Sequence, residues 1–279
     1  MTDRRRLHRT LATALAVAAA VALAAGCSRL DRLNARIDAI ADETARTLVC
    51  DTLWAHGSKY AWAEAGPLRA DVVWTEHRPA GDLAVRQVWT VDPVAWTCRI
   101  DTPETGEAAV FDGAAVRLVH RGSEAAAPSR DRQGADALAR ARAAGQVRAA
   151  MELLAMPASL AGPDREVLYV GNRTGPGEAR TWRRLMVTYG RAPAVPTGDR
   201  MVVEIREGTG RVDRVLVRWS ELPLAGQAMR VDMLDWRPAG GLLVSRLWRF
   251  TPVGETGEAI GPVRYTVRVE AVETAGAAP

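Results

Sequence analysis

The sequence of 279 residues predicts a mainly β protein of the α+β class. The expected fold is a curved antiparallel meander with an N-terminal helix and a mid-chain helix covering its concave face. Three observations carry this reading. Apolar residues recur at spacings of three and four between residues 29 and 56. From Leu68 onward the period becomes two. A second helical stretch interrupts the strands midway, after which alternation resumes to the C-terminus.

The N-terminal stretch comes first in chain order. Arg4, Arg5, Arg6 and Arg9 form a basic head, and Leu11 to Leu23 an uncharged apolar run. Leu23-Ala24-Ala25-Gly26-Cys27 follows. A short apolar run behind a positive head, ending in small residues, is a secretory signal rather than a span. The Cys behind the small residues resembles the lipobox of bacterial lipoproteins. That resemblance implies cleavage after Gly26, acylation of Cys27, and anchoring of residues 27–279 as a single envelope domain. Two or three acyl chains hold a protein stably where one does not. Ser28 follows the Cys, and by resemblance to enterobacterial sorting this favours the outer membrane over the inner, with the domain facing the periplasm.

Residues 29 to 56 read as one amphipathic helix. Leu30, Leu33, Ile37, Ile40, Thr44 and Leu48 make its stripe, and His56-Gly57 is its stop. Leu68, Ala70, Val72 and Trp74 then alternate with polar residues. So do Leu83, Val85, Trp89 and Val91, and then Trp96, Cys98 and Ile100. Each is a half-buried strand with one dry face. Asp112-Gly113 joins Val110-Phe111 to Val116–His120 as a hairpin. Residues 122 to 136 read as loop. Residues 136 to 156 read as the second helix, with Leu138, Val147, Met151 and Leu154 toward the core and Pro157 as its end. Seven more strand runs follow between Val167 and Val272, and no long linker divides the two strand groups. The expectation is one continuous meander, too long to stay flat.

This order of elements, the Trp-rich early strands, the Asp112-Gly113 hairpin and the lipid anchor resemble the lipoprotein-carrier superfamily that includes LolA and LolB. The resemblance covers nearly all of residues 29 to 272. It implies a strongly curved half-barrel whose concave side is closed by helices and holds acyl chains. No functional residue of the carrier or its receptor is matched.

Composition narrows the function. The chain has a formal charge of +4, but the leader carries Arg4, Arg5, Arg6 and Arg9 against Asp3, so three of those charges leave with it. A near-neutral domain has little drive toward nucleic acid, and no such partner is expected. His56, His77 and His120 are too far apart in sequence for a close-spaced metal pair, and no nucleophile elbow or phosphate loop is present. No cofactor, metal or catalytic residue is expected, and the protein is read as not an enzyme.

Two binding readings stay open. In the first, Trp74, Val85, Trp89, Trp96, Ile100, Met151 and Leu154 line an apolar concave face that takes a lipid or acyl group. In the second, these side chains fill the core, and the protein is an envelope interaction or sensor module that binds a protein partner. Cys50 and Cys98 form an even pair in an oxidising compartment. Their positions on the helix stripe and the dry strand phase suggest a disulfide, the alternative being two buried thiols.

Overall fold

The computed structural model describes residues 29–120, 123–124, 133–174, 180–189, 198–221, 226–255 and 257–275. Cys27, the leader and most of the expected 122–136 loop lie outside these residues.

The N-terminal helix is two helices. α1 covers residues 29–38 and α2 covers Glu43–Ala55. The break has a local cause. Asp42 is extended and caps α2, its Oδ1 accepting from the Ala45 amide at 2.9 Å. Its Oδ2 accepts from the Tyr169 amide at 2.8 Å, so the cap also ties the helix to a distant strand. An apolar stripe continues across such a break, which is why periodicity alone joined the two. α2 stops where expected, at His56, and Gly57 takes φ 118°. A short helix α3, Ser58–Glu64, follows unannounced by any stripe of its own.

The strands are β1 Leu68–Glu76, β2 Leu83–Asp92, β3 Thr97–Thr102, β4 Glu107–Phe111, β5 Val116–His120 and β6 Ser123–Glu124. After the insertion come β7 Arg165–Thr174, β8 Thr181–Tyr189, β9 Arg200–Arg206, β10 Val212–Arg218, β11 Ala228–Ala239, β12 Leu242–Pro252 and β13 Tyr265–Thr274. They form one 13-stranded antiparallel sheet in the order β6-β5-β4-β3-β2-β1-β13-β12-β11-β10-β9-β8-β7. It is curved and does not close, with β6 and β7 as its free edges. The class is the one the sequence predicts, but the connectivity differs from a single continuous meander. Two meanders meet where β1 pairs with β13, Leu68 opposite Thr274 and Glu76 opposite Tyr265. The chain crosses from one free edge to the other through helix α4, Gln133–Ala149. Seventeen residues of helix span about 25 Å, enough to bridge an open half-barrel.

α4 runs into a π-helical turn, Ala150–Leu154, and a 3-10 turn, Ala158–Ala161, beyond a cis Met156–Pro157 bond. Residues 149–162 are buried all round. A helical segment that is apolar on every side belongs inside. α4 packs over β3, β4 and β5, the π turn over β2 and β3, and α2 over β7 and the 3-10 turn. Leu138, expected in the core, is 45% exposed, because it sits before the part of α4 that meets the sheet.

The middle of the concave face is filled. Trp89 and Trp248 lie 5.9 Å apart, Trp74 is 6.2 Å from Trp89, and Phe250 and Tyr265 are 5.7 and 5.9 Å from Trp74. These rings come from the four central strands and form a continuous aromatic row, gaining packing beyond area burial. The polar Gln87 falls in the dry phase of β2 and is satisfied there. It accepts from Trp89 Nε1 at 2.9 Å and donates to Gln146 of α4 at 3.2 Å.

The expected Cys50–Cys98 disulfide is not made, and both are free thiols. Cys98 is buried in β3 under α4 and the π turn, whereas α2, which carries Cys50, packs on β7 and the 3-10 turn. The expectation assumed that the N-terminal helix covers the early strands. Burial raises the pKa of both thiols, most strongly that of Cys98.

Candidate functional site

The open seam of the sheet holds a cleft of about 490 Å³. One wall comes from the first meander: Trp96, Phe111 and the Gly113–Val116 end of the hairpin. The opposite wall comes from the second: Pro163, Asp164, Arg165, Tyr189 and Glu221. α4 and the π turn form the side between them, through Ala141, Ala144, Val147, Arg148, Met151 and Glu152.

Each wall has a local reason. Asp112 accepts from the amides of Ala114 and Ala115, which shapes the hairpin end, and Gly113 takes φ 96°. Trp96 was expected on the third strand. It stands instead in the turn before β3 with φ 61°, its amide donating to the Asp92 carbonyl at 2.8 Å. That turn moves the indole off the sheet's core face and over the Arg165 guanidinium, 4.6 Å from ring centre to Cζ.

The floor is ionic and buried. Arg165 donates to both oxygens of Glu152 at 2.9 and 3.2 Å and to the Ser159 carbonyl at 2.5 Å. Arg148 pairs with Asp199 and, at 2.6 Å, with Glu221. Its guanidinium lies 4.3 Å over the Tyr189 ring and 5.1 Å from that of Trp219. Burial alone would lower the Arg148 pKa, but Tyr189 and the carboxylates of Glu221, Glu152 and Asp199 outweigh it and the pKa is raised. Burial raises the Tyr189 phenol pKa, and Glu152 adds to that. These pairs fasten α4 and the π turn to the second meander. Removing one partner of such a pair is costly, because the other is left charged and dry.

The seven residues proposed from the sequence to line an acyl site divide. Trp96 and Met151 line the cleft. Trp74, Trp89, Ile100 and Leu154 belong to the closed core, and Val85 is half-exposed near the start of β2. The strand phase placed Trp74 and Trp89 on the concave face, where the aromatic row buries both. Arg148, Glu152, Arg165, Tyr189 and Glu221 were not anticipated. One signal was available: Glu152 is the only charge in the apolar run Ala149–Met156, and a charge in a run buried all round needs a partner. Among the described residues no group of three or more His, Cys, Asp and Glu side chains could hold a metal ion. No described helix is long and apolar enough to cross a membrane.

An open, strongly curved antiparallel sheet with helices across its concave side is the LolA/LolB-like half-barrel. The chain is similar in fold to a LolA superfamily protein from Nitrosomonas europaea, at 9% identity and a TM-score of 0.53, over 82% of this chain and 93% of that one. A putative outer membrane lipoprotein-sorting protein domain from Vibrio parahaemolyticus aligns at 10% identity and a TM-score of 0.47, over 76% and 86% of the two chains. A DUF1329 family protein from Desulfovibrio piger aligns at 12% identity and 0.43, over 79% and 94%. No family model matches the sequence, and no curated protein matches it.

Proposed function

We propose that this protein is a membrane-anchored, non-catalytic envelope module that holds an acyl chain in the seam cleft. The observation that carries the reading is the cleft itself. Its volume falls within the ~300–1,000 Å³ typical of small-ligand sites. Trp96, Phe111, Val116, Val147 and Met151 supply an apolar lining beside a few converging polar groups. Trp74, Trp89, Ile100 and Leu154 are buried in the core and do not line this cleft, so a chain is held at the seam and not beside the aromatic row.

The lipobox-like segment supports anchoring at Cys27, with residues 27–279 acting as one envelope domain. Only Ser28 separates that Cys from Arg29, whose guanidinium holds both oxygens of Asp92 at 2.8 Å and donates to the Ala63 carbonyl at 2.9 Å. An anchor at Cys27 therefore holds the domain close to the bilayer, within roughly 7 Å of chain. Trp54, 64% exposed, and Tyr60 near Lys59 supply interfacial aromatics on α2 and α3.

Displacement of a fluorescent acyl probe tests the cleft. The wild type is expected to bind the probe, and Ala144→Trp, which fills the cleft from α4, is expected to weaken binding at least about tenfold with little change in melting temperature. Equal probe affinity in a folded Ala144→Trp variant refutes the placement.

A further inference from the structure

The floor of the cleft holds buried hydrogen-bond donors with nothing to donate to: Arg165 Nε and, beside it, donors of Tyr189 and Arg148. Tyr189 and Arg148 are each only 9% exposed, and both line the cleft. The Tyr189 hydroxyl and Arg148 Nη2 have no hydrogen-bond partner. The Arg148 guanidinium lies over the Tyr189 ring at 4.3 Å and close enough to its hydroxyl to favour the phenolate, without a bond of good geometry between them. A buried, unused donor is costly, so a native protein that keeps several side by side at a ligand-sized opening has a use for them.

The charge around them decides what they can take. Arg148 and Arg165 are the cations of the floor, and Asp199, Glu221 and Glu152 are its carboxylates. Three acids against two bases leave no surplus positive charge to neutralise an anion. The exposed rim residues Arg140 and Asp164 offset each other. A free carboxylate entering here meets a site already provided with anions, and a like charge in a dry place is repelled. A neutral acceptor meets no such penalty and satisfies the donors of Tyr189 and Arg148.

We infer that the seam cleft recognises an acyl group through its neutral ester or amide carbonyl, which accepts from Tyr189 Oη and Arg148 Nη2 while the chain lies along Trp96, Phe111, Val116, Val147 and Met151. This rests on the acyl-binding reading above and adds its specificity: acyl esters and amides are taken, and free fatty acids are discriminated against. The donors lie near the apolar lining, so the carbonyl is placed at the base of the cleft. A site built around a hydrogen bond rejects the analogue that lacks it more strongly than an apolar pocket rejects a missing methylene.

The test is calorimetric titration of the full-length protein in amphipol with 1-decanoylglycerol, its ether analogue 1-O-decylglycerol, and decanoate. The ester is expected to bind about tenfold tighter than either of the other two. Tyr189→Phe, which keeps the ring under Arg148 and removes only the hydroxyl, is expected to bring the ester down toward the ether. An isotope-edited infrared measurement adds a readout independent of any variant: the ester carbonyl stretch should shift to lower frequency on binding. If the three amphiphiles bind the wild type alike, if decanoate binds tightest, or if the carbonyl stretch does not move, the carbonyl inference is overturned and the acyl reading stands. If none of the three binds, the acyl reading fails and takes the inference with it.

Discussion

His56 shows how one side chain couples this fold to pH. The ring is fully buried and sits edge-on to Trp236 at 4.6 Å. Nδ1–H donates to the Thr52 carbonyl at 2.8 Å, so Nε2 is left as an unpartnered lone pair. Burial lowers the His56 pKa from 6.5 to about 4, and the nearby Arg211 pushes the same way. The unfolded chain therefore takes up a proton near pH 6.5 that the native state refuses until about pH 4. Stability from this group is full above pH 6.5, falls as the pH drops toward 4, and then levels, a loss of about 3 kcal/mol in all. Urea unfolding at pH 7 and pH 4.5 should show the wild type losing about 2 to 3 kcal/mol more than His56→Phe over that interval. Parallel losses in the two proteins would contradict the assignment. The sequence offered His56 only as part of a helix stop, and only burial makes it a pH-sensitive group.

At the scale of elements, the decisive joint lies between the N-terminal helices and the β11–β12 hairpin. The His56 carbonyl accepts from the Leu243 amide at 3.1 Å, so the helix end is bonded to the start of β12. Gly57 has φ 118°, and a Cβ there would run into the Gly241 carbonyl oxygen and approach Leu242 Cα to 3.1 Å. Gly208 has a similar φ of 80° but open space around it. Gly57→Ala is expected to cost more than about 2 kcal/mol and Gly208→Ala about 1 kcal/mol, read as shifts of the denaturation midpoint. Equal costs would show that backbone conformation alone matters there and that the close approach does not. A glycine stop was legible in the sequence, since φ > 0 after a helix is a local demand. The backbone it presses against is 184 residues away in sequence, and no local pattern records it.

The whole molecule depends on its last strand. β13 lies at the centre of the sheet, between β1 and β12, and it alone joins the two meanders edge to edge. Its pairing with β1 brings together residues some two hundred positions apart, so loop closure is paid before these contacts form. A chain ending before Tyr265 is expected to lose cooperative urea unfolding and near-ultraviolet circular dichroism, whereas loss of the two-residue edge strand β6 should leave both in place. A truncated chain that keeps a single sharp transition would show that the meanders fold independently. From the sequence, β13 was one more alternating run at the end of a continuous meander. A period of two fixes which face of a strand is dry, but not which strand it pairs with.

The sequence by itself determined the elements whose causes are local. These are the alternating strands, the Asp112-Gly113 hairpin, the glycine after α2, the proline after the second helical stretch, and the mainly β class that follows. Trp74 and Trp89 were assigned to the correct face by the same logic. Only the tertiary structure decided which strands meet, that α4 crosses the seam and the N-terminal helix does not cover β3, and hence that Cys50 and Cys98 stay apart. It also decided where space is left. A packed row and an open cleft are built from the same residue types, and the difference lies in how many rings converge on one volume. Arg148, Arg165 and Tyr189 come from three separate stretches of chain, and their common site exists only once the sheet has curled and its two ends face each other.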